Sequence, residues 1–234
     1  MKSNSEDLQY VYTPKLKSLR PLLNEWTGIV LRYCALSRFC DNPWWFNERA
    51  TLSTLAGAAW SLPDWVALEE FKTLKRDSVP STKVEQGQLT PGRCDLYVSN
   101  KKYDFAFEAK QAWQSIGKNS GGMKYVCLAM GKAWTDAGNL DVDEASHRLA
   151  ATFIVPYIPS VQAKNADDLA VREAVTKWIE NLLKELKQSD KLAAVAYVFP
   201  AKAKKFRNDN GVAFPGIVLL IQERIKGNKI SRDK

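Results

Sequence analysis

The sequence predicts a single α/β domain, a central sheet flanked by helices, and three observations predict it. Residues 92–111, GRCDLYVSNKKYDFAFEAKQ, read as a β-hairpin: two apolar-rich runs flank the turn-forming tetrad Ser99-Asn100-Lys101-Lys102. Three near-continuous apolar runs, 149–157, 192–199 and 214–222, have the character of strands covered on both faces. Between them, 165–188 repeats Val171, Val175, Trp178, Ile179, Leu182, Leu183 and Leu186 at helical spacing. No internal repeat and no interdomain linker divides residues 1–234.

In chain order, residues 1–13 are polar and expected to fray. From Pro14 to Phe39 apolar residues recur at helical spacing, and Pro21 restarts the run, leaving a main helix to about Arg38. Asp41-Asn42-Pro43 is a helix-start signal for a helix from Trp44 to Trp60. Ser61-Leu62-Pro63-Asp64 is a second cap-like start, predicting an amphipathic helix over 61–77 whose basic end carries Lys72, Lys75 and Arg76. Residues 78–91 are loop or a short first strand. After the hairpin, the Lys118–Gly122 loop is basic but lacks the spacing of a P-loop. Met123–Ala137 reads as a crossover helix with Trp134 in the core, and residues 225–234 as a mobile basic tail.

The hairpin carries the chemistry. With an even loop pairing Val98 with Tyr103, Cys94, Leu96, Val98, Tyr103, Phe105, Phe107 and Ala109 share one face. Asp95, Tyr97, Asp104, Ala106, Glu108 and Lys110 share the other. Asp95 then lies diagonally beside Glu108, an oxygen-rich pair suited to Mg²⁺ or Mn²⁺. Lys110 adds a cation able to orient or help deprotonate a water beside a phosphate. Gln111, directly beyond, is placed to hydrogen-bond a phosphate or to end the strand.

Asp95 followed across a hairpin by Glu108-Ala109-Lys110 resembles the PD-(D/E)xK nuclease superfamily. The resemblance implies a restriction-endonuclease-like αβββαβ core, here with extra N-terminal helices, and metal-dependent cleavage of phosphodiesters. It implies Asp95, Glu108 and the Ala109 carbonyl as metal ligands, Lys110 as the catalytic lysine, and an acid from the preceding helix. Glu48 matches that acid and could equally favour its own helix N-terminus; Glu69 and Glu70 are the alternatives. Cys94 departs from the pattern, standing where many members carry proline.

A formal net charge of +8 favours an anionic partner, nucleic acid and DNA before RNA. Arg49 is a candidate phosphate contact or the partner of a nearby acid, and Lys118 is a candidate nucleic-acid contact. Lys202, Lys204, Lys205 and Arg207 around Phe206 form either a nucleic-acid-contacting loop or a solvated connector. His147 is the only histidine, which excludes multi-histidine metal sites within one chain; a surface or helix-end position is expected for it. No apolar run has the length of a membrane span, and MKSNSEDLQYVY lacks a signal-peptide core. The four cysteines form no CxxC pair and are expected to stay reduced, so a cytoplasmic setting is expected. Function is therefore expected to be Mg²⁺- or Mn²⁺-dependent nucleic-acid hydrolysis, in a monomer or homodimer. The alternative is a non-catalytic nucleic-acid-binding or scaffold protein of the same fold.

Overall fold

In the computed structural model, residues 6–76, 88–118, 120, 122–141 and 143–226 are described. The predicted apolar run at 149–157 becomes β5 (His147–Tyr157), in which every residue but the last is buried. Among the described residues the sheet has seven strands, in the order β1-β6-β7-β5-β4-β3-β2. These are β1 (Leu8–Tyr12), β2 (Val66–Arg76), β3 (Leu89–Ser99), β4 (Asp104–Ser115), β5, β6 (Leu192–Phe199) and β7 (Ile217–Lys226). Only β4 and β5 pair in parallel; the other neighbours are antiparallel. The helices are α1 (Arg20–Leu36), α2 (Glu48–Ser61), α3 (Lys124–Asn139), the single turn α4 (Ser160–Ala163) and α5 (Asp168–Leu186). Part of the chain therefore runs α2-β2-β3-β4-α3-β5.

Helices cover both faces. Ala150 of β5 packs against Ala133 and Ala137 of α3, whereas the Phe153 ring lies 6.3 Å from that of Trp26 on α1. Residues three apart on a strand point to opposite faces, so α3 and α1 lie on opposite sides of the sheet. The buried stripe of α5, Val171, Val175, Ile179, Leu182 and Leu186, joins the same core. Among the described residues, no helix is long and apolar enough to cross a membrane.

Pro21 falls in the first turn of α1, where its missing N–H costs nothing, so α1 begins where the proline signal places it. The start of α2 is later than expected. Asn42 accepts from the N–H groups of Trp44 and Trp45 with its side chain, making a turn and not a helix start. Asn47 is the true cap, its side chain accepting from Ala50 N–H at 2.8 Å.

The predicted helix over 61–77 is instead strand β2. Its residues Leu, Glu and Lys are good helix formers, but their preference is a few tenths of a kcal/mol each. A ladder with β3 running from Val66↔Ser99 to Arg76↔Leu89 overrides it. Strand alternation was faint in the sequence because only Ala67 and Thr73 of β2 are buried. Glu70 breaks the ladder: it has a φ of 52° and no pairing with Asp95 across the strands. Residues 77–87 and 227–234, where a polar connector and a mobile tail were expected, lie outside the described residues.

Of the stretch expected to fray, residues 1–5 lie outside the described residues, and Leu8–Tyr12 joins the sheet as β1 against β6, with Tyr10 stacked on Tyr197 at 5.3 Å between centroids. His147 is buried in β5, not at a surface or helix end. Its Nδ1 meets Glu223 Oε1 at 2.7 Å and its ring stacks on Phe105 at 5.2 Å.

The hairpin turn sits one residue later than expected, over Asn100–Tyr103, with the Asn100 side chain accepting from the N–H groups of Lys102 and Tyr103. Val98 pairs with Phe105 and Leu96 with Phe107, a two-residue shift that preserves the sorting of faces. Cys94 is the exception. It packs with Ala106, Leu140 and Ala145, apart from the cluster containing Leu96, because the chain bends where the ladder breaks at Asp95.

Leu23 on α1 is fully buried whereas Leu36 on the same helix is 80% exposed. Leu23→Ala is expected to lower unfolding free energy by about 2–5 kcal/mol in urea titration, and Leu36→Ala to change it by about 0.5 kcal/mol or less. Equal effects would contradict this placement of α1.

Candidate active site at the divergence of β3 and β4

The β3–β4 ladder ends at Leu96↔Phe107, while β4 continues to Ser115 against β5 on its other side. Beyond Phe107, side chains replace β3 as partners of the β4 main chain. The Ala109 N–H donates to Asp95 Oδ2 at 2.8 Å, and the Gln111 N–H donates to Glu48 Oε2 at 2.8 Å. Lys110 Nζ donates to the Ala109 carbonyl at 2.8 Å. The Asn47 cap starts α2 at Glu48, which is how its carboxylate comes to face β4. Gln111 ties the same elements together: its amide donates to the Trp44 carbonyl at 3.3 Å and accepts from the Thr51 hydroxyl at 2.9 Å. The Gln111 side chain is thus occupied by the protein itself, where a phosphate contact or a strand end was expected.

Glu108 is 1% exposed. Its Oε1 meets Lys75 Nζ of β2 at 2.8 Å, so the buried carboxylate faces an ammonium group. Lys110 is drawn the other way and pairs with Asp136 Oδ2 of α3 at 2.9 Å. Lys75 and Asp136 were not foreseen as members of the site. Lys75 was hidden by the helical reading of 61–77; Asp136 lies on the polar side of a helix and only tertiary packing brings it here.

The charges perturb one another. Burial pushes the Glu108 carboxyl up to about 7, with the Asp95 and Asp136 charges adding to it and Lys75 opposing. Burial also raises Glu48, reinforced by Asp95 and Asp136 and opposed by Lys110 and the Gln111 N–H. Burial acts to lower Lys110, but Asp136, Glu48 and Asp95 outweigh it and leave the ammonium held above its ordinary value. Glu48, Asp95, Glu108, Lys110 and Asp136 therefore form one electrostatic group drawn from α2, β3, β4 and α3. Such mutual perturbation is characteristic of sites where protons or charge are handled. As placed, no three His, Cys, Asp or Glu side chains among the described residues converge closely enough to hold a metal ion.

The other predicted residues lie in different company. Arg49 is exposed and pairs with Glu70 at 3.1 Å, which Arg93 also approaches at 3.4 Å. Glu70 is thus neutralised by arginines and Glu69 is exposed, leaving Glu48 as the acid that reaches β4. Lys118 is exposed, its main chain bracketed by the Gln162 amide at 2.7 and 3.2 Å. In the basic loop, Lys204 pairs with Asp168 at 3.1 Å and Arg207 donates to the Lys204 and Ala166 carbonyls at 2.9 and 3.1 Å. Phe206 is fully buried edge-on to Trp44, with centroids 5.2 Å apart, and offers no face to a base. Lys205 is left as an exposed cation of this loop.

Compared with protein-family models, curated proteins and solved structures, the chain has no significant match.

A carboxyl raised from 4.5 to about 7 binds its proton more tightly in the folded state. Its contribution is therefore present below pH 4.5 and lost as pH rises through 7. Relative to Glu108→Gln, the wild type is expected to lose up to roughly 3 kcal/mol of unfolding free energy between pH 4.5 and pH 8. Denaturant titrations of both proteins across that range check it; a difference independent of pH would contradict the placement of Glu108.

Proposed function

We propose that this chain is a metal-dependent nuclease that hydrolyses nucleic-acid phosphodiester bonds, with DNA the preferred substrate and a restriction-endonuclease-like core. The observation that carries this reading is the gathering of Glu48, Asp95 and Glu108, from three separate elements, against the stretch of β4 that bears Lys110. The element run α2-β2-β3-β4-α3-β5 is an αβββαβ order and supports the same reading.

The donor set fits a hard divalent cation. The Asp95 charge raises the cost of ionising the buried Glu108. A cation such as Mg²⁺ or Mn²⁺ offsets that repulsion, since it favours carboxylate oxygens. Asp95 and Glu108 would hold it, with the Ala109 carbonyl a further oxygen donor. When bound, such a cation polarises the phosphoryl group and lowers the pKa of bound water.

The protein's own groups supply the rest. The Lys110 ammonium, already at the Ala109 carbonyl, orients a water and offsets charge that develops on the phosphate. Glu48, with its raised affinity for a proton, holds or receives a proton of that water. The net charge of +8 draws the polyanionic substrate. A second reading, a nucleic-acid-binding protein that does not cut, is favoured by one feature. In this arrangement Asp95 and Glu48 are engaged by main-chain N–H groups and Glu108 by Lys75.

The test is cleavage of plasmid, single-stranded DNA and RNA with Mg²⁺ or Mn²⁺, alongside metal binding. Wild type is expected to cut DNA. Lys110→Ala is expected to bind metal and cut roughly 10²-fold slower or less, whereas Asp95→Asn loses metal affinity as well. No cleavage by wild type on any substrate would leave the binding protein as the reading.

A further inference from the structure

We infer that Lys75 is a second lysine of this site, the internal counter-ion of Glu108 that a divalent cation must displace. The inference rests on the nuclease reading above. Lys110, the lysine of the motif, is turned to Asp136 and the Ala109 carbonyl. The ammonium that touches the buried carboxylate is that of Lys75, 2.8 Å from Glu108 Oε1. Glu108 is 1% exposed, so the Lys75 ammonium meets this carboxylate away from bulk water.

A second feature shows that the Lys75 side chain is steered there. Its stem lies across Gly92 of β3: a Cβ at residue 92 would stand 3.0 Å from Lys75 Cγ and Cδ and 3.2 Å from its Cβ. A side chain at that position makes the lysine stem give by a few tenths of an ångström. The Lys75 main chain is also fixed, its carbonyl accepting from the Thr90 hydroxyl at 3.3 Å and its strand bridging to Leu140. A lysine laid through a glycine notch onto a buried carboxylate is a positioned group. Surface lysines of this chain such as Lys101, which pairs with Asp64 and is 77% exposed, have no such path.

The chemistry follows from charge. An ammonium and a divalent cation compete for the same Glu108 oxygen, so Lys75 weakens cation binding. Lys75, 23% of whose side chain is exposed while it is paired, remains beside the Asp95–Glu108 pair once displaced. There its three N–H donors meet a phosphate oxygen of the substrate.

Mn²⁺ affinity by calorimetry and DNA cleavage are to be measured for wild type, Lys75→Met, Gly92→Ala and Lys101→Met. Methionine keeps an unbranched stem over Gly92 and removes the charge. Lys75→Met is expected to bind Mn²⁺ about tenfold more tightly, from loss of one nearby positive charge, and to cut DNA more slowly. Gly92→Ala, which keeps the lysine and its charge but crowds its stem, is expected to shift both readouts in the same directions by a smaller factor. Lys101→Met is expected to match wild type. Unchanged Mn²⁺ affinity in Lys75→Met and Gly92→Ala, with a wild type that binds and cuts, would overturn the role of Lys75 and leave the nuclease reading standing. A wild type that neither binds Mn²⁺ nor cuts would overturn the nuclease reading, and Lys75–Glu108 would then be a structural ion pair.

Discussion

The N–H of Ala109 on the carboxylate of Asp95 is the contact around which this site is built. A strand that outruns its neighbour exposes main-chain donors, and buried donors must be satisfied. β4 parts from β3 after Phe107, with the same effect on its donors. In place of β3 carbonyls, β4 takes the carboxylate of Asp95 at Ala109 and that of Glu48 at Gln111. The same contacts that complete the sheet thus bring two acids from different elements beside Glu108 and Lys110. The bend that makes this geometry is recorded in the φ of 52° at Glu70 and the missing Glu70–Asp95 pair.

Concentrating acids this way is costly, and the surroundings show how the cost is contained. Glu108 is buried with a like charge nearby, so its carboxyl is pushed up to about 7. Lys75 and Lys110 offset the negative charge from two sides, one on Glu108 and one between Asp136 and the Ala109 carbonyl. Glu108 is the buried member of these pairs, so removing Lys75 would leave its charge uncompensated in the interior. Local rules of strand pairing and charge burial are broken together here, and functional sites are where such breaks collect.

The candidate site was legible because period-two alternation is strict in β4: Phe105, Phe107 and Ala109 go inward and leave Glu108 and Lys110 together. It survived an error of two residues in the pairing, since an even shift leaves the faces unchanged. What was not legible depended on contacts far away in sequence. Val66–Arg76 carries helix-forming residues and is a strand only because β3 pairs with it, so Lys75 could not be assigned to the site. β1 exists because β6 offers it an edge, and its own residues give little warning. Phe206 sits amid lysines in a loop that read as polar, yet Trp44 takes it into the core. Cys94 left its expected face because of a bend that no local pattern announces.

The central claim is that Asp95 and Glu108 together hold a divalent cation at the point where β3 and β4 part. Anomalous diffraction from crystals of the protein soaked in Mn²⁺ tests it most directly. The account predicts a peak within about 2.0–2.3 Å of an oxygen of each carboxylate, as expected for a hard divalent cation, with the Lys75 ammonium moved off Glu108. A Mn²⁺ peak bound by other residues, with Lys75 still seated on Glu108, would contradict it.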